Sequence, residues 1–109
     1  MTTSASGPTS GQLDDAFYAR ADAHIHLAND EAEKAGHEMV NASLMFASAR
    51  FSAFVSARGF ASSEAMQAKR AETIEYFVAG FRQMLEGNLD AYIKNFETYV
   101  HASNKDEEA

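Results

Sequence analysis

Ile74–Phe96, IEYFVAGFRQMLEGNLDAYIKNF, is the stretch that decides the fold. Phased at about 100° per residue, Ile74, Phe77, Val78, Phe81, Met84, Leu85, Leu89, Tyr92 and Phe96 fall in one stripe. The stripe reaches back to Met66 and on to Tyr99 and Val100, and its phase drifts only slowly. It crosses Gly87-Asn88 without a jump, whereas two helices joined by a turn restart their phase. The pattern predicts one long helix, kinked at most near Gly87, with division there into a fourth helix as the alternative. Unbroken from Met66 to Val100 it would be a rod of about 52 Å at about 1.5 Å per residue. Such a rod overhangs a compact chain roughly 34 Å across.

Two further periodic blocks precede it. In the first, Leu13, Phe17, Ala21, His24, Leu27 and Ala28 share one arc, with Ile25 at its edge and Asp15, Asp22, His26, Asp30 and Glu33 opposite. This helix is expected to begin near Thr9–Gln12, where Thr-x-x-Gln can form a capping box. It is expected to end at Gly36, a natural left-handed cap preceded by Lys34. The second block is apolar over a wide arc around Val40, Leu44, Ala47, Phe51, Phe54 and Val55, and a helix this apolar is expected to be central in the bundle. Its expected start lies between Glu38 and Ala42, with Asn41 as cap, and its expected stop at Arg58-Gly59. The third block opens after Ser62-Ser63. Phe17, Leu44, Phe51, Phe54, Phe77, Phe81 and Leu85 are expected to be buried together.

With 109 residues the chain suits one domain. The composition, 46% apolar and 23% charged, is that of a folded globular protein. It has a single proline and 6 glycines, and Gly7, Pro8 and Gly11 fall in its first residues. Beyond Gly11 the chain is almost free of strand and turn punctuation. The expected fold is therefore all-α: a bundle of three principal helices over residues 12–103, between disordered tails at 1–11 and 104–109.

Charge and residue inventory exclude several functions. Nine basic against sixteen acidic residues give a formal charge of −7, which repels phosphate backbones and anionic membrane surfaces. No nucleic-acid or membrane partner is expected. The absence of cysteine removes disulfides, zinc ribbons and thiol nucleophiles. The longest strictly apolar run, Leu44–Ala47, is far short of the roughly 18 to 20 residues that span a bilayer. Met1–Gln12 has neither the basic start nor the apolar stretch of a targeting segment, so a soluble cytoplasmic protein is expected.

Ala49-Arg50-Phe51-Ser52-Ala53-Phe54-Val55 forms one recognisable block, and Glu75-Tyr76-Phe77 followed by Phe81-Arg82-x-Met84-Leu85-Glu86-x-Asn88-Leu89-Asp90-x-Tyr92-Ile93-x-Asn95-Phe96 a second. In both, and in the same order, the chain resembles a bacterial family of small helical proteins of unknown function, over about Phe17 to Tyr99. The resemblance implies a single helical domain and carries no activity and no catalytic residues.

Chemistry-bearing side chains are few. Asp22, His26 and Asp30, spaced i, i+4, i+8, line one side of the first helix and could hold a divalent ion. They also lie opposite the apolar arc, where a surface helix carries its charges, and no metal site is assigned to them. His24-x-His26 places two imidazoles in different directions; Glu33 and His37 are four apart across a helix end. The Glu-x-x-His signature of di-iron bundles does not occur. His24 sits near the centre of an apolar arc, with Arg20 and Glu31 at its margins, and Arg50 lies between Phe46 and Phe54. Asn88 falls near the middle of the long stripe, with Glu75, Arg82 and Glu86 along its edge. His24, Glu31, Arg50 and Glu75 are therefore candidates for a small acidic-ligand pocket, or else a polar network that fixes helix register. No Gly-x-Ser-x-Gly turn and no glycine-rich phosphate loop occurs. The expectation is a protein without catalytic residues or cofactor, acting as an interaction or self-assembly module. Its expected partner is a second copy, paired through the later half of the third helix, or another protein. A ligand- or metal-binding protein is the alternative.

Overall fold

A computed structural model describes residues 14–101. These residues are about 90% helical, with no strand among them. The order is α1 (Asp15–Ala35), α2 (His37–Ala57), α3 (Ser63–Ala68) and α4 (Arg70–Lys94), followed by a π-helical turn at Glu97–His101. The all-α class read from periodicity holds. Both expected tails, and the Thr9–Gln12 capping box, lie outside the described residues.

Each helix end has a local cause. Asp14 caps α1: its extended backbone lets its carboxylate accept the Phe17 N–H at 3.0 Å. α1 stops at Gly36 as expected, its N–H closing onto the Ala32 carbonyl at 2.8 Å, but with φ +91° and ψ 155° the glycine is extended rather than the left-handed helical cap expected. The start expected for α2 needs correction. The helix begins at once at His37, with no side-chain cap, because glycine's backbone turns the chain between two helices in a single residue. Asn41 lies inside α2, its amide 3.9 Å from the Met45 sulfur. α2 ends at Arg58-Gly59 as expected, and Ser62 caps α3 by accepting the Ala65 N–H at 3.1 Å.

α4 runs through Gly87 without a break. Its interruptions fall elsewhere, at Lys69 (φ −106°, ψ 9°) and at Asn95 (φ −115°, ψ 34°), so the expected rod from Met66 to Val100 is shortened to 25 helical residues, about 37 Å long. At Asn95 the backbone N–H and the side-chain amide both donate to the Ala91 carbonyl, each at 3.0 Å.

The expected joint core does not close within one chain. No described residue is buried: Phe17 and Phe77 are half-buried, and Leu44, Phe51, Phe54, Phe81 and Leu85 are exposed. The reason is topological. The substantial helix contacts join α1 to α2, across Gly36, and α3 to α4, across Lys69. The two pairs form separate arms on either side of residues 58–62. The molecule is accordingly extended, 55 × 31 × 23 Å with a radius of gyration of 17.0 Å, against about 13 Å for a compact chain of this length.

Candidate functional site

The polar residues singled out by sequence are positioned by α1, α2 and α4, and all of them stand on open surface. His24, Glu31, Arg50 and Glu75 are exposed. Among the described residues no hydrogen bond or ion pair joins any of these four to another; Glu31 pairs instead with Lys34, three residues on, at 3.6 Å. Exposed pairs of this kind contribute little. Asp22, His26 and Asp30 also lie on exposed helix surface, and no cluster of three or more His, Asp or Glu side chains able to hold a metal occurs among the described residues. Asn88 is satisfied within its own helix, its amide donating to the Met84 carbonyl at 2.8 Å. One concavity is lined by Ile93, Lys94, Asn95, Phe96, Glu97 and Thr98. It is a single run of chain around the Asn95 break, rather than a cleft on which several elements converge.

What the structure does assemble is apolar surface. On α2, Phe46 and Phe51 are each 66% exposed, and Phe51 lies against Phe54 with ring centroids 6.1 Å apart. Among its 21 residues α2 has only two of the types Asp, Glu, Lys and Arg, Glu38 and Arg50. On α4, Ile74, Val78, Phe81, Met84, Leu85 and Leu89 are exposed along one stripe, as its periodicity requires. The sequence marked both faces as apolar. That they stay apart carries no signal in the periodicity, because a repeating pattern specifies a face and not the chain that covers it.

A protein-family profile for proteins of unknown function, DUF3144, matches residues 17–93. The match takes in α2, α3 and nearly all of α1 and α4, and the chain belongs to this family. No curated protein and no solved structure matches it. Among the described residues no helix is long and apolar enough to cross a membrane.

Proposed function

We propose that the chain is a non-enzymatic self-assembly module whose working unit is a homodimer. The observation that supports this reading is the absence of any buried residue among those described, together with large apolar side chains exposed on α1, α2 and α4. Soluble monomers rarely leave contiguous apolar patches larger than a few hundred Å². A second copy covers such faces with the commonest symmetry available to soluble proteins. The setting proposed is the bacterial cytoplasm, in line with the resemblance to bacterial helical proteins. Unfolding tests the reading: for a dimer the melting temperature rises with protein concentration, because association is linked to folding by mass action. A melting temperature unchanged over a hundredfold range of concentration would count against it.

A further inference from the structure

Resting on that reading, we infer that two copies of this chain pair by reciprocal exchange, α4 of each lying against the α1–α2 arm of the other. Each chain carries two apolar surfaces of matched length. The α1–α2 arm is built of 21-residue helices, about 31 Å long, and the other arm is a helix of 25 residues, about 37 Å long. The first presents Leu44, Phe51 and Phe54, the second Phe81, Leu85 and Leu89, all exposed.

The elbow between the arms is built rather than slack. Arg58 N–H donates to the Phe54 carbonyl at 3.2 Å, Gly59 to Ser56 at 3.0 Å and Phe60 to Ala57 at 3.2 Å, after which Ser62 caps α3. An exchanged partner leaves this elbow as it stands.

The area involved favours the same arrangement. The accessible surface is 9206 Å², while a folded monomer of this mass exposes about 6,000 Å². The excess reflects an open shape, and covering part of it on each of two chains would already reach the ~1,600 Å² of a standard docking interface. Side-by-side contact of two α4 helices would leave both α2 faces in water. Reciprocal exchange covers both surfaces of both copies at once, and it gives every contact twice, as a two-fold axis demands.

The chain has no cysteine, so cross-linking sites can be introduced without background. Ser48 lies beside the apolar arc of α2 and Arg82 at the edge of the α4 stripe, both exposed. Differently tagged Ser48→Cys and Arg82→Cys chains are refolded together and treated with a short bismaleimide, alongside the doubly substituted chain. Light scattering on the unmodified protein gives its mass. Exchange predicts a doubled mass, a covalent product containing one chain of each kind, and linkage between chains in the double variant. A doubled mass with linkage only inside a chain, only between identical sites, or not at all overturns exchange while leaving self-association standing. A mass of 11.9 kDa overturns both.

Discussion

The rings of Tyr92 and Tyr99 face each other with centroids 4.4 Å apart and planes inclined by 31°. Residues seven apart in a continuous α-helix are separated by about 10.5 Å along its axis, which two inclined tyrosine side chains span with difficulty. The break at Asn95 and the π-helical turn at Glu97–His101 bring them together, so the apolar stripe of α4 ends in an aromatic clasp. An aromatic pair contributes about 0.5 to 1.5 kcal/mol beyond its buried area. Tyr99→Ala is expected to destabilise by that amount and to reduce the near-ultraviolet dichroism, whereas Tyr99→Phe keeps both. A Tyr99→Ala protein as stable as the parent would show that the contact is idle.

Two glycines respond to alanine with opposite signs. Gly36 has φ +91° and ψ 155°, a region that side-chain-bearing residues occupy only at a cost of about 1 to 3 kcal/mol. Gly87 is interior to α4, with nothing within 4 Å of an added Cβ. There alanine gains about 0.5 to 1 kcal/mol from helix propensity. Denaturant midpoints are expected to fall for Gly36→Ala and rise for Gly87→Ala; the same sign for both would contradict a turn at Gly36 and an unbroken helix at Gly87.

Ser62 and Asp14 each satisfy one N–H at the start of a helix. Ser62→Ala and Asp14→Ala are expected to cost about 1 kcal/mol apiece. For Ser62 the loss falls on a helix of six residues, too short to persist alone. Hydrogen exchange at Ala65–Ala68 should accelerate in Ser62→Ala and stay unchanged in Asp14→Ala. Equal acceleration in both would mean that α3 does not depend on its cap.

The boundaries that the sequence made legible are those governed by a single local residue: Gly36, Arg58-Gly59 and Ser62-Ser63. Gly87 was legible too, since a stripe that keeps its phase is one helix. Asn41 misled because a favourable cap residue is idle when the preceding glycine already starts the helix. The interruptions at Lys69 and Asn95 carry no glycine or proline, and neither composition nor periodicity announces them. The candidate polar site was legible only as residue types. His24 and Arg50 have apolar sequence neighbours, but those neighbours are exposed or at most half-buried, so the arcs mark open surface rather than an enclosed pocket.

The Asp22, His26 and Asp30 face is expected to bind no divalent ion tightly, since three exposed side chains on one helix are not held in a fixed geometry. Calorimetry with zinc should show no micromolar binding that depends on His26. Micromolar affinity abolished by His26→Ala would reverse that assignment.

Salt separates an apolar interface from an ionic one. Each chain carries −7, so two copies repel at long range, and screening reduces that repulsion. The self-association constant is expected to hold or rise between low and moderate salt. A tenfold fall would mean that ion pairs hold the copies together.

Covering of the exposed α2 and α4 faces by a second copy is tested most directly by sedimentation velocity of the unmodified protein at micromolar concentration. A single species of twice 11.9 kDa is expected, reduced to single chains by Phe51→Asp, which places a charge in the middle of the α2 face. A compact single-chain species across the whole concentration range, with Phe51→Asp sedimenting like the parent, would contradict it.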